Sequence, residues 1–309
     1  MLAVRLALAA LCGLLLTSCA ATSVQRDLAG GAAVTPGTTG TVTLGDRPLR
    51  LHVPTTYDDA EPTALVVALH GWGGTSHRIE AQLDLEDASE SRGFLLALPE
   101  GVRDSGGRQF WNATPACCNA DSRDVDDSGY LSSLIDEVAR RYRVDPGRVY
   151  AVGASNGGFM AHRLACDHAD QVAAVVSVAG AQALDPAECR PSHGVSVLQI
   201  HGTADATIRY DGGSIIPGQS YPSAEQTVGT WRELEHCSAG PGLLGVPLDG
   251  DPTLPGAETA RVSWSTGCAD ASEVALWTVD GGGHGPRITP DFTDALLDWL
   301  DAHGRHPST

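Results

Sequence analysis

Gly153-Ala154-Ser155-Asn156-Gly157-Gly158 is a G-x-S-x-G pattern, in which two glycines free a tight turn and leave a serine hydroxyl standing clear. A hydroxyl attacks carbonyl carbon only when a base takes its proton and a carboxylate orients that base. Both follow in the order such a turn requires. Asp205 closes His201-Gly202-Thr203-Ala204-Asp205, and His284 lies in Gly281-Gly282-Gly283-His284-Gly285. The acids Asp211 and Asp249 lie in an irregular stretch. His162, His168, His193, His236, His303 and His306 fall on expected helices, on insertions or in the tail. His201 precedes the acid and is expected to pack in support of its loop. Charge developing on a carbonyl oxygen needs preorganised N–H donors. The backbone of Asn156 is one candidate, and Trp72 in Leu69-His70-Gly71-Trp72-Gly73-Gly74 is the other.

These residues need a sheet edge to hold them. Short apolar runs at 65–69, 94–98, 149–152, 172–178, 195–200 and 274–279 suit strands buried on both faces of a parallel sheet. Helical spacing marks 130–142, behind Asp127-Ser128 and ahead of Asp145-Pro146-Gly147, and again 156–168 and 292–302. Segments 40–44 and 48–54 around Gly45-Asp46 predict a β-hairpin. Alternating strands and helices predict an α/β fold with a doubly wound, mostly parallel sheet, in one domain over 42–304. An irregular insertion at about 212–256 should hold a short helix around Trp231.

Composition narrows the chemistry further. The chain has 309 residues with 38 acidic and 20 basic side chains, a formal net charge of −18 that opposes nucleic acid as a partner. Every basic residue is arginine, so Schiff-base chemistry, a P-loop lysine and a Ser-Lys dyad are excluded. That acidity suits neutral substrates over anionic ones.

The first residues read as a targeting segment. Arg5 precedes an apolar run over 6–16, too short to span a bilayer and suited to a signal peptide of residues 1–18. Leu16-Thr17-Ser18-Cys19 has the form of a bacterial lipobox, in which Cys19 would carry lipid; ordinary cleavage near Ala20 or Ala21 is the alternative. The protein is therefore expected to be exported, as an envelope lipoprotein held by Cys19 or as a secreted chain. Residues 19–41 predict a flexible tether, and 305–309 a tail. Cys117, Cys118, Cys166, Cys189, Cys237 and Cys268 form an even set that favours disulfides over a metal site, with no zinc-type spacing. Cys117 and Cys118 could bond each other only through a strained ring, so separate long-range partners are expected.

Together the motifs resemble one family, the exported α/β-hydrolase esterases that include polyhydroxybutyrate depolymerase-like proteins and feruloyl and acetylxylan esterases. The resemblance is carried by Leu69 to Gly74, Leu98-Pro99-Glu100-Gly101, Trp111, Cys117-Cys118, Val125-Asp126-Asp127, Gly153 to Gly158, Leu164-Ala165-Cys166, the Asp205 loop and Gly282-Gly283-His284. It implies Ser155 as nucleophile, Asp205 as acid and His284 as base, with no cofactor and no metal. The implied substrate is an ester, free or linked to polysaccharide, or a hydroxyalkanoate oligomer. It also implies that Cys117 and Cys118 each bond one of Cys166 and Cys189, leaving Cys237 for Cys268. Two places depart from the family. Gly285-Pro286-Arg287 stands where a Trp-Pro-Gly is usual, and Ser128-Gly129-Tyr130 where an apolar residue and Gly-Phe are usual. A peptidase on the same fold and a catalytically silent binding lipoprotein are the alternatives.

Overall fold

The structure, a computed structural model, describes residues 33–44, 47–238, 240–243, 245–285 and 288–305. The expected signal peptide, Cys19, most of the expected tether, the Gly45-Asp46 turn, the Pro286-Arg287 departure and the last four residues lie outside them. Among the described residues there are fourteen strands: β1 (Thr38–Leu44), β2 (Arg47–Val53), β3 (Thr63–Leu69), β4 (Leu95–Pro99), β5 (Val102–Arg103), β6 (Gln109–Phe110), β7 (Val144–Ala154), β8 (Ala174–Val178), β9 (Ser196–Gly202), β10 (Gly213–Ser214), β11 (Ser220–Tyr221), β12 (Gly242–Leu243), β13 (Thr259–Trp264) and β14 (Val274–Val279). The α-helices are α1 (Ser76–Leu83), α2 (Leu85–Arg92), α3 (Asp127–Arg141), α4 (Asn156–Asp167), α5 (Ala224–Leu234) and α6 (Pro290–Asp301).

Ten strands form one sheet in the order β1-β2-β4-β3-β7-β8-β9-β14-β13-β12. The six from β4 to β14 run parallel, and the pairs at both flanks are antiparallel. Alternate residues of β3 show why both faces must be covered. Leu65, Val67 and Leu69 pack with Leu131 of α3, Phe159 of α4 and Trp231 of α5. Ala64, Val66 and Ala68 pack with Ile79 of α1, Leu85 of α2 and Leu296 of α6. Apolar residues on both faces of a parallel strand are what this two-sided cover produces. The fold is a doubly wound α/β sheet, as the periodicity predicts.

Four features differ from expectation. Helices α1 and α2 were not anticipated, because Ile79, Leu83 and Leu85 are too few apolar residues to show a period. Strand β13 pairs with β14 at the flank despite its mixed polarity. The tether boundary at 41 falls inside β1, and Val34 is already buried, its N–H donating to the Tyr142 hydroxyl at 2.7 Å. At the other end, the Arg305 N–H donates to the Gly147 carbonyl at 2.7 Å, and its guanidinium bonds the carbonyls of Ala169, Asp170 and Val172.

The cysteine pairing is the fourth. Cys117 bonds Cys118, Cys166 bonds Cys189 and Cys237 bonds Cys268. The expectation of separate partners for the adjacent pair is corrected. The peptide between Cys117 and Cys118 is cis, with the two Cα atoms 3.1 Å apart. Cys166 and Cys189, 5.0 Å apart at Cα, are then left to each other.

Candidate active site

Ser155 occupies the turn between β7 and α4 at φ 54° and ψ −120°, a left-handed backbone held by its surroundings. Its N–H donates to the Val178 carbonyl at 2.7 Å, tying the turn to the end of β8. The flanking glycines are sterically required. A Cβ on Gly153 would strike the Gly157 carbonyl, and one on Gly157 would strike the Leu69 carbonyl.

His284 Nε2 lies 2.9 Å from Ser155 Oγ, and its Nδ1 lies 2.7 Å from Asp205 Oδ2. Residues from three places in the chain thus meet at the ends of β7, β9 and β14. The loops bearing Asp205 and His284 are laced together: the Ala204 N–H donates to the Gly282 carbonyl at 2.9 Å, and the Gly281 N–H to Thr203 Oγ1 at 2.8 Å. A side chain at Gly202 would collide with Gly282, so the approach depends on that glycine.

Asp205 is buried, and its Oδ1 accepts the N–H groups of Thr207 and Ile208 at 2.8 and 2.9 Å. Burial alone would raise its pKa. The imidazoles of His201 and His284 and the Thr207 N–H outweigh burial and hold the carboxyl well below the usual range. Asp205 therefore stays ionised beside His284, whose Nδ1–H it accepts.

Gly71 presses the loop after β3 onto the serine: a Cβ there would stand 3.3 Å from Ser155 Cβ. Trp72 follows Gly71 and lines the same cleft as Ser155, and Asn156 is the next residue after the serine. Asn156 opens α4, where the first N–H groups have no partner inside the helix. The Asn156 side chain has a different task, exchanging two hydrogen bonds with the Trp111 backbone at 2.7 and 2.9 Å.

Sequence reasoning left Glu100 and Gln109 unassigned. Glu100 accepts Ser76 Oγ–H and N–H at the start of α1, and Gln109 Nε2–H at 2.6 Å. The Gln109 carbonyl accepts the Gly73 N–H at 2.7 Å, which fixes the loop carrying Trp72. Buried His70 donates from Nδ1 to the Gly71 carbonyl and accepts the Gly101 N–H at Nε2. Burial lowers its pKa, so the ring stays neutral. The only signal for this network was the Leu98-Pro99-Glu100-Gly101 motif.

A cleft of about 440 Å³ opens over Ser155 and His284, lined also by Trp72, Arg78, Ile79 and Gln82. Trp72 is 44% exposed and carries the Arg108 guanidinium 4.1 Å from its ring centre. Tyr130, at a departure from the family pattern, stacks against Arg47, 3.6 Å from its ring centre. Among the described residues no group of His, Cys, Asp and Glu is arranged to hold a metal ion.

The sheet order and the turn at Ser155 define an α/β-hydrolase. The chain belongs to the family described as "Putative esterase", whose model matches residues 41–233, a span that includes Ser155 and Asp205 and ends before His284. It is 34% identical over 233 residues to the "Putative esterase NocK" of Nocardia uniformis subsp. tsuyamanensis, covering 73% of this chain and 65% of that protein. It is 28% identical over 236 residues to "Feruloyl esterase B" of Piromyces equi, covering 74% of this chain and 40% of that one. The chain thus spans less than two thirds of the length of these relatives. Its fold is similar to that of the acetyl xylan esterase from Aspergillus awamori, with a TM-score of 0.62 and 16% identity over 86% of this chain and 99% of that one.

Proposed function

We propose that the protein is a serine esterase. Ser155 Oγ attacks an ester carbonyl while His284 Nε2 takes its proton, and Asp205 holds the imidazole and stabilises its charged form. The Trp72 and Asn156 N–H groups receive the developing oxyanion. His284 returns the proton to the departing alcohol, and water activated by the same base then frees the acid from Ser155. The unbroken line from Ser155 Oγ through His284 to Asp205, at 2.9 and 2.7 Å, carries this reading.

The substrates proposed are short acyl or hydroxycinnamoyl esters, free or linked to plant polysaccharide, and soluble hydroxyalkanoate oligomers. The names of the relatives, a feruloyl esterase and an acetyl xylan esterase, support the ester class. Export is part of the proposal: three disulfides suit an oxidising compartment, and the apolar run before Cys19 suits a signal peptide with lipid on that cysteine.

Nitrophenyl acetate hydrolysis by wild type and Ser155→Ala tests the mechanism. The variant is expected to lose roughly 10⁴-fold or more in kcat. Equal rates for both proteins would sink the reading. A panel of methyl ferulate, acetylated xylan, hydroxybutyrate oligomers and peptides then ranks the substrate classes and separates esterase from peptidase.

A further inference from the structure

Behind Asp205, away from the cleft, polar side chains form a line through the core. Trp231 Nε1 of α5 lies 2.9 Å from His162 Nδ1 of α4, and His162 Nε2 lies 2.9 Å from Gln199 Oε1 of β9. Gln199 Nε2 reaches the Gly180 carbonyl at 3.0 Å, His201 Nδ1 at 3.2 Å and, at the longest of the three distances, the Ile200 carbonyl at 3.4 Å. His201 Nε2 meets the Ile208 carbonyl at 2.7 Å and stands 3.6 Å from Asp205 Oδ2. None of Trp231, His162, Gln199 and His201 is more than 2% exposed, so every link is shielded from bulk solvent.

We propose that this buried relay fixes the tautomer of His201 and so reserves the Asp205 carboxylate for His284. An indole N–H only donates, so His162 Nδ1 must accept and the ring carries its proton on Nε2. That proton goes to Gln199 Oε1. The two amide hydrogens of Gln199 then go to its two nearest acceptors, the Gly180 carbonyl and His201 Nδ1, ahead of the more distant Ile200 carbonyl, which leaves the His201 proton on Nε2. The far end requires the same assignment independently, because the Ile208 carbonyl only accepts.

A second proton has no place in the line. On His162 Nδ1 it would face the indole N–H, and on His201 Nδ1 it would face the Gln199 amide. His201 thus stands beside Asp205 without charge. When His284 becomes an imidazolium, the carboxylate has one cation to answer. Gln199, His162 and Trp231 are positioning residues in this scheme. The titratable groups facing His201 are Asp205 and Tyr210 on the loop after β9, with His284 beyond the carboxylate and His162 beyond Gln199. Strand β14 presents Thr278, bonded to the Tyr210 hydroxyl, while Asp211 and Glu225 act on Tyr210 from outside.

The proposal rests on the triad reading, and its test separates the two. Long-range ¹H–¹⁵N spectra of the histidine-labelled full chain should show His162 and His201 both as the neutral Nε2–H tautomer at neutral pH. In Gln199→Glu, a carboxylate facing both rings should draw an Nδ1–H onto His201 and make it an imidazolium. That second cation disfavours charge on His284, so the acid limb of kcat/KM for a neutral ester should move down by about one pH unit, with KM little changed. An Nδ1–H tautomer at either ring in wild type overturns the proposal, as does an unmoved acid limb in a folded variant. If the variant does not fold, the wild-type spectrum decides. Absence of ester hydrolysis by wild type would refute the esterase reading and leave the spectrum to decide the relay.

Discussion

Glu235 shows how burial sets the behaviour of a single group. It is 1% exposed at the end of α5, accepting the Val195 N–H and the Ser272 hydroxyl. Burial pushes its carboxyl up to about 7 from 4.5, against those hydrogen bonds. A carboxyl raised by folding binds its proton more tightly in the folded state, so it costs stability as pH climbs from 4.5 towards 7, and the cost is complete above that. Glu235→Gln is therefore expected to gain up to about 3 kcal/mol at pH ~8 and little at pH ~4.5, read from urea unfolding of both proteins. A gain equal at the two pH values would contradict it. Asp205 has the opposite sign, contributing stability that is lost as acid protonates it. Sequence marks Ser155, Asp205 and His284 because their loops carry glycines in a recognisable order. Nothing local marks Glu235, whose side-chain hydrogen-bond partners stand 40 and 37 positions away.

The glycines that carry the turns differ in what they can tolerate. Gly153 faces the Gly157 carbonyl across the elbow, whereas a Cβ on Gly283, one residue before His284, would meet nothing within 4 Å. Gly153→Ala is expected to cost about 1–3 kcal/mol and most of the ester hydrolysis, through displacement of Ser155. Gly283→Ala should stay within roughly 0.5 kcal/mol of wild type. Thermal unfolding of the two variants side by side checks the contrast, and equal losses would contradict it. Elements were legible where burial was two-sided or periodic, as in β3, β8, β9 and β14 or in α3. They were hidden where one face alone is covered by a few residues. In α2 the segment Leu85–Arg92 buries only Leu85 and Ser89, with Ala88 its one other apolar residue, so it reads as loop. Helix α5, expected around Trp231, opens with a Ser223–Gln226 capping box that stops the irregular chain before it.

Over the whole molecule the disulfides divide the work. Cys166–Cys189 and Cys237–Cys268 close segments of 23 and 31 residues, the second across the irregular stretch between α5 and β14. Closing such loops restricts the unfolded chain, so the double variant Cys237→Ser/Cys268→Ser is expected to lose about 3 kcal/mol in denaturant unfolding. Non-reducing peptide mapping should recover Cys117 and Cys118 on one peptide with no crosslink to Cys166; a crosslink between them would reinstate the pairing that the family resemblance implies. The pairing of the neighbours was illegible because cysteine count and spacing leave the partners open. The two anchored ends have a practical corollary. Val34 is fastened to Tyr142, just ahead of β7, and Arg305 to Gly147 and to the carbonyls before β8, while Ser155 stands where β7 finishes. A probe attached at Val34 or Arg305 would therefore report on the rim of the sheet where β7 and β8 begin, opposite the rim that carries Ser155.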